Sequence, residues 1–312
     1  MNYKHLDEKK KAQIDILHEC KCSMREIRRR LNISHSTVSR YLNKIHKPRS
    51  TPDIHVKYKD FIEYLIERYD WRVNSIEACV YKFKKYYPTK PSVSAQQVYN
   101  WINDGKIEIQ PKDTCYKRRK KKRKRKNGMM NHLKWNLDHK TVLPIRLRPK
   151  YIEKRDEPGH LEIDSIIGKK NEYASIISIV DRCTRVMWLI KAEGRNEYYI
   201  DKLIRKYIEE NEIEVKSITV DNGKEFEALG ITAKRMNVKL YKCDPYCSFQ
   251  RGTNERANAL VRRFIPKGKS MYNIEQQYLD DISFKINSMN RKMFDFKSAY
   301  DIECEYMING AL

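Results

Sequence analysis

Three acids in this 312-residue chain stand where phosphodiester chemistry could use them. Asp221 closes an apolar, β-branched run, Val215 to Val220, and opens the stretch Asp221-Asn222-Gly223-Lys224-Glu225-Phe226. An acid at the carboxyl end of a strand, followed by an Asn-Gly turn, directs its carboxylate into a cleft and not into a core. Asp164 lies on an earlier strand-like run, and Glu255 lies at the start of a later helix. Breaking a phosphodiester needs an in-line oxygen nucleophile, a stabilised leaving oxygen and neutralised charge on the phosphorus oxygens; two divalent ions about 3.5–4 Å apart supply all three. Hard cations such as Mg²⁺ take carboxylate oxygens and water, so three acids suffice and no His or Cys is required. Without a cation, three clustered carboxylates repel and titrate as a coupled group.

Other acids nearby have quieter readings. Asp181, in Val180-Asp181-Arg182-Cys183-Thr184-Arg185, can cap a turn between strands and pair with Arg182 or Arg185. Asp244, before Pro245, reads as a turn residue. Glu162 alternates with Ile163 and is expected to face away from Asp164. Turn geometry alone accounts for Asn222 and Gly223, and Gly252 and Asn254 are expected to shape the start of the last helix, Asn254 as its cap.

The elements that must position the three acids begin near Gly159. Leu161 to Ile167, Tyr173 to Val180 and Thr184 to Ile190 are apolar runs that read as an antiparallel meander. Arg195–Glu210 has helical spacing through Ile200, Ile204 and Ile208; Val215–Val220 is a fourth strand, Lys224–Met236 a helix, and Val238–Tyr241 a short fifth strand. A helix follows from about Asn254 to Ile265. Three strands, helix, strand, helix, strand, helix is a mixed α/β layer arrangement. Its order is that of an RNase H-like domain with a mixed five-stranded sheet.

The front of the chain is different in kind. Residues 1–150 carry 38 basic and 15 acidic side chains, whereas residues 151–312 carry 27 and 26, out of a formal net charge of +24. Solubility needs no such asymmetry; a polyanion-binding region joined to a balanced folded domain explains it. Residues 7–45 read as three short helices: about Asp7–Glu19 on Ile14 and Leu17, a second capped by Ser23 with Glu26 completing a capping box, and a third from Ser36 to Lys44 on Val38 and Leu42. Asn32-Ile33 makes the turn and Ser34 the next cap. This is a helix-turn-helix pattern, with His35, Ser36, Thr37, Ser39, Arg40, Asn43 and Lys44 set to meet base edges and phosphates of double-stranded DNA in a major groove.

Pro48 and Pro52 mark a linker to a second helical module. Its helices run through Phe61, Leu65 and Ile66, then from Ser75 through Ile76, Val80 and Phe83, then from Ser94 to Asn103. The last repeats the cap and apolar face of the first module and stops at Asp104-Gly105, so a second helix-turn-helix is expected, with Gln96, Gln97 and Asn100 toward DNA. Lys117 to Lys126 is ten consecutive basic residues, extended by self-repulsion and suited to salt-dependent phosphate binding; a nuclear-localisation signal is the rival reading. The boundaries that follow are 1–47, 53–108, a basic linker 109–150, an α/β catalytic domain 151–270 and a helical tail 271–312.

No apolar run approaches the roughly 18–20 residues that span a bilayer, and Met1 to His5 lacks an apolar signal core. Eight thinly spread cysteines fit a reduced, cytoplasmic setting better than a disulfide scaffold. Cys20-Lys21-Cys22, even with His18, His35 and His46 nearby, matches no zinc-ligand spacing.

Read together, Gly159-His160-Leu161-Glu162-Ile163-Asp164, Asp221 to Phe226, and Asp244-Pro245-Tyr246 through Gly252-Thr253-Asn254-Glu255 resemble the signature blocks of the insertion-sequence-thirty family of DDE transposases. Arg263-Phe264-Ile265-Pro266-Lys267-Gly268 is similar to the block beyond the last acid, and 33 residues separate Asp221 from Glu255, as in that family. Met24-Arg25-Glu26-Ile27 with Ser36-Thr37-Val38-Ser39-Arg40 resembles the family's helix-turn-helix, and Ile286 to Lys292 its closing helix. The departures are Leu161 where an aromatic is common, Cys247 for a usual His and Gln250 for a usual Glu.

The resemblance implies a bacterial, nucleoid-associated transposase that binds terminal inverted repeats. With two Mg²⁺ (or Mn²⁺) ions at Asp164, Asp221 and Glu255, it would hydrolyse a phosphodiester at each element end, and the freed 3′-hydroxyl would attack target DNA. Arg262, Arg263, Lys267 and Lys269 are then candidates for phosphate contacts, and synapsis of two ends implies a homodimer or larger assembly. Two rivals remain at this stage. A catalytically silent DNA-binding regulator derived from a transposase would not need the acids. An RNase H-like nuclease acting on RNA hybrids would leave the paired helix-turn-helix modules unexplained.

Overall fold

The structure, a computed structural model, describes residues 6–46, 53–114, 140–244, 250 and 252–310. The basic run 117–126, the residues Pro245, Tyr246 and Cys247, and the side chain of Lys44 lie outside the described residues. The chain divides into two compact units, Met1–Lys59 and Asp60–Leu312.

The first unit holds α1 (Glu8–Glu19), α2 (Met24–Leu31), α3 (His35–His46) and the single turn α4 (Ile54–Lys57). Ile14, Ile27, Val38 and Leu42, one apolar stripe from each of the first three helices, meet in its core. Asn32 takes the left-handed conformation between α2 and α3, which Asn tolerates better than most residues. The expected capping box is half present: Ser23 Oγ accepts the Glu26 N–H at 3.2 Å, while the Glu26 carboxylate turns to Arg29 and Arg30.

The second unit opens with α5 (Lys59–Arg68), α6 (Ile76–Tyr86) and α7 (Ala95–Asn103), the last two capped by Ser75 and Ser94 as expected. Phe61 and Phe83 pack edge to face at 5.0 Å. Ile62 takes the inward place expected of Ile66, which is exposed.

The rest of the unit is built on one sheet: β1 (Val142–Pro144), β2 (His160–Ile167), β3 (Ser175–Asp181), β4 (Met187–Ala192), β5 (Ser217–Val220) and β6 (Lys239–Lys242). Its helices are α8 (Lys150–Lys154), α9 (Glu197–Glu210), α10 (Gly230–Arg235), α11 (Gly252–Val261), α12 (Gln276–Asn287) and α13 (Ala299–Gly310). The spatial order is β1-β6-β5-β2-β3-β4. β2, β3 and β4 form the expected antiparallel meander, and β5, β6 and β1 add in parallel beside β2. This is the RNase H-like arrangement with six strands and not five. The extra strand, β1, is three residues long and ends on a proline inside the stretch expected to be linker, too short to show as an alternating pattern.

Strand parity sorts the two cores. Leu161 and Ile163 of β2 join α9, α10 and Phe226 on one face. Ile166 of β2 joins Val261 of α11 and Leu279, Ile282 and Ile286 of α12 on the other. The C-terminal segment expected as a separate tail is therefore the second covering layer of the sheet.

Strand β4 is an edge, and α12 covers it with two amides. Gln276 accepts from Lys191 N–H at 2.8 Å and donates to Leu189 O at 2.7 Å; Asn287 accepts from Met187 N–H and donates to Met187 O, both at 2.9 Å. The α5–α7 module is tied to the sheet domain by Arg263, which donates to the carbonyls of Trp71 (3.3 Å) and Arg72 (3.0 Å), and by Tyr81 stacked on Phe296 at 4.3 Å.

Candidate active site

The sheet opens between β2 and β5. These strands pair in parallel with Glu162 opposite Thr219. Asp164 and Asp221 each lie two residues beyond that last pair, Asp164 still on β2 and Asp221 just past the end of β5. Asp221 is the first residue past the end of β5, so its carboxylate stands at the strand mouth. Both acids are half-buried.

Each carboxylate is held from its own side. Asp164 Oδ2 accepts from Asn258 Nδ2 of α11 at 2.8 Å, and the Ser178 hydroxyl of β3 donates to Asn258 Oδ1 at 2.9 Å. Asp221 Oδ1 accepts the Gly223 N–H at 2.8 Å, and Asn222 Nδ2 donates to the Cys243 carbonyl at 2.6 Å, fastening the turn to the end of β6. Gly223 has φ −62°, a value open to any residue. Turn geometry therefore does not require this glycine; space does. A Cβ there would stand 2.9 Å from Asp221 Oδ1 and 2.9 Å from the Glu225 carboxylate.

Glu225, inside the Asp221–Phe226 block, is a further acid beside the site that its place in the sequence does not single out. It accepts the Ser165 hydroxyl at 2.6 Å, which links the turn after β5 to the residue following Asp164. Lys242, opposite Val220 in β6, is buried; burial pushes its ammonium below the usual lysine range, against the opposing charges of Glu227 and Asp221.

Glu162 does not face away from Asp164. Residues two apart on a strand share a face, and Glu162, fully buried, points like Asp164 toward α11, where it accepts the Asn254 N–H at 3.1 Å. Asn254 is not the helix cap either, because α11 begins at Gly252. Its buried amide, turned with nitrogen toward β2, donates to Glu162 O and accepts from Ile163 N–H, both at 3.3 Å. Asp181 caps the β3–β4 turn as expected, taking the Cys183 and Thr184 N–H groups at 2.8 Å and Gly159 N–H at 2.7 Å. The Arg182 and Arg185 side chains turn instead to Glu153 and Thr253, while the Arg185 N–H donates to the Asp181 carbonyl at 3.1 Å. Asp244 exchanges two bonds with Gln250, at 2.8 and 2.9 Å.

Glu255 stands apart. It lies on the exposed side of α11, and among the described residues no group of three His, Cys, Asp or Glu is placed to hold a metal ion. The donor chemistry at the strand mouth, carboxylates without sulfur or imidazole, suits a hard divalent cation. The helix that carries Glu255 reaches Asp164 through Asn258, and Asp221 stands just past the end of the neighbouring strand.

The expected DNA-facing residues divide. His35, Ser36, Arg40 and Asn43 are exposed on α3, and Thr37 and Ser39 are half-buried. The Ser36 and Thr37 hydroxyls share hydrogen bonds with Ser34. Gln96, Gln97 and Asn100 line the outer face of α7, and Lys267 and Lys269 are exposed beyond α11. Arg262 and Arg263 are not free phosphate contacts: Arg262 donates to Ile167 O at 2.7 Å and Arg263 holds the Trp71–Arg72 turn.

A helix-turn-helix domain family matches residues 2–44. Over 204 residues the chain is 34% identical to the transposase for insertion sequence element IS4351 of Bacteroides fragilis, covering 65% of this chain and 61% of that protein. It is 28% identical to a probable transposase for the insertion-like sequence element IS1161 of Streptococcus salivarius, covering 96% of this chain and 94% of that protein. A further match, 32% identical, is to the transposase InsI for insertion sequence element IS30A of Escherichia coli, over 51% of this chain and 41% of that one.

Proposed function

We propose, from the chain's likeness to transposases for insertion sequence elements, IS30A among them, and from its helix-turn-helix match over residues 2–44, that it binds the ends of a mobile element and cuts and joins DNA at the mouth between β2 and β5. The observation that carries this reading is that Asp164 and Asp221 each lie two residues beyond the last paired residues of two adjacent parallel strands, where β5 ends beside β2.

Asp164, Asp221 and Glu255 would hold two Mg²⁺ or Mn²⁺ ions, Glu255 after its side chain turns from solvent toward the strand mouth. Bound there, such ions would supply neutralisation of phosphate charge and activation of water. The chain itself supplies position. Asn258 orients the Asp164 carboxylate, the Gly223 N–H orients that of Asp221, and the Ser165–Glu225 bond keeps the two strands' ends in register. The helix-turn-helix unit α1–α3 would bind duplex DNA, with α3 in the major groove; the α7 face would add a second contact. Water and then a sugar hydroxyl serve as nucleophiles, so no covalent protein–DNA intermediate forms. Holding two ends at once calls for at least two copies of the chain.

The test is cleavage of DNA carrying the cognate ends, with Mg²⁺. Asp221→Asn should abolish cleavage and leave end binding intact; full cleavage by that variant would falsify the site assignment. One observation favours a second reading, a DNA-binding regulator without turnover: Asn258, and not Glu255, is the α11 residue bonded to Asp164. Specific end binding with no cleavage by the unmodified protein in Mg²⁺ or Mn²⁺ would establish that alternative.

A further inference from the structure

We propose that Glu162 and Arg182 form a buried clamp that fixes the first turn of α11, and with it Glu255, against the strand that carries Asp164. Its functional part rests on the assignment of the three acids above.

Glu162 is wholly buried and Arg182 is 1% exposed. Glu162 Oε1 lies 3.1 Å from Arg182 Nη1, and Oε2 accepts the Asn254 N–H at 3.1 Å. Asn254 is the third residue of α11, so its N–H is among those that no intrahelical carbonyl can take. A carboxylate there also answers the positive end of the helix dipole. Beside it, Arg185 donates to Thr253 Oγ1 at 2.7 Å.

The clamp continues away from the helix. Arg182 Nη2 donates to Glu153 of α8 at 2.9 Å, Arg148 donates to the same carboxylate, and Arg148 Nη1 donates to Thr219 Oγ1 at 3.0 Å. Thr219 lies two residues before Asp221. One chain of polar contacts thus runs from the strand of Asp221, past the strand of Asp164, to the first turn of the helix of Glu255.

Stability is a poor reason for this arrangement. Glu162 Oε1 and Arg182 Nη1 meet without hydrogen-bond alignment, and Arg182 Nε has no hydrogen-bond partner. A buried pair of this kind is often replaced by apolar side chains at no loss of stability. What apolar side chains cannot do is accept one particular N–H and so set where along β2 the helix sits. Arg182 also sets a positive charge beside Glu162, which shares its face of the strand with Asp164.

The test uses the full chain in three variants: Glu162→Ala, Glu162→Gln, and the apolar pair Glu162→Leu with Arg182→Met. Amide hydrogen exchange without added metal reads the clamp directly, and cleavage of end DNA reads its consequence. Glu162→Ala should speed exchange at Asn254 at least about tenfold and lower cleavage by about 10–100-fold, the usual cost of losing a group that orients a metal ligand. Glu162→Gln keeps an acceptor for the Asn254 N–H and should restore both. The apolar pair should melt near the unmodified protein yet keep the loss, which separates positioning from folding even if Glu162→Ala fails to fold. Undiminished protection of Asn254 in the apolar pair, or its cleavage at the unmodified rate, would overturn the clamp. If the acids are not catalytic, Asp221→Asn will have shown it, and the exchange result still decides the clamp.

Discussion

Asn258 Nδ2 stands 2.8 Å from Asp164 Oδ2 while its own oxygen receives the Ser178 hydroxyl at 2.9 Å. A single amide thereby joins α11 to β2 and β3 at the acid beside the mouth between β2 and β5. Asn258→Ala should reduce cleavage by about 10–100-fold through misorientation of Asp164. End binding should stay unchanged. Steady-state cleavage and a gel-shift titration check both halves; a loss of binding equal to the loss of cleavage would point to a DNA contact instead.

Gly223 is small because two carboxylates crowd it. Gly223→Ala would place a methyl 2.9 Å from Asp221 Oδ1 and from Glu225 Oε2, with no backbone strain since φ is −62°. The expected result is a cleavage defect of about tenfold or more with a melting temperature close to that of the unmodified chain, because the side-chain ends can move aside at little cost but leave their working positions. Glu225→Gln, which keeps an acceptor for Ser165, should be milder.

Gly168 meets the opposite situation. A Cβ there would stand 2.7 Å from the backbone oxygen of Lys269 and 2.5 Å from Met271 Cγ, and backbone cannot step aside. Gly168→Ala should destabilise the second unit by about 1–3 kcal/mol, read as a lower denaturant midpoint with unchanged slope.

Glu153 links stability to pH. Burial raises its carboxyl, but hydrogen bonds from Arg148 and Arg182 outweigh it and leave the pKa below the ordinary glutamate value. A lowered folded-state pKa adds stability above the unfolded value, 4.5, and that contribution disappears as pH falls through the folded value. Glu153→Gln should therefore cost about 1 kcal/mol at neutral pH, discounted because half the side chain is in solvent. The difference from the unmodified chain should shrink below pH 4.5 in a melting series.

Much of this was legible in the residues because the signals are local. Ser23, Ser75 and Ser94 cap where the pattern put them, and the meander follows from three apolar runs. Asp221 was visible as an acid at a strand end. Other features depend on contacts distant in sequence. Glu225 matters only because its short helical segment folds back to Ser165, 60 positions away, and Arg263 is tied to carbonyls about 190 positions earlier. Glu162 is different: strand parity alone puts it on the face of Asp164, because alternation with Ile163 separates it from its neighbour and not from the residue two positions on. Asn258 was equally available, one helical turn beyond Asn254 on the same face.

The amides of Gln276 and Asn287 have a consequence for how copies of this chain can meet. They occupy the N–H and C=O of Met187, the C=O of Leu189 and the N–H of Lys191, so β4 has little left to offer an incoming strand. At the far edge β1 is three residues long and ends on Pro144, which has no N–H to donate. A sheet closed in this way at both margins does not grow from chain to chain. Among the described residues, any meeting of copies would then run through side-chain surfaces, which can be tuned or broken one residue at a time without disturbing the strands beneath.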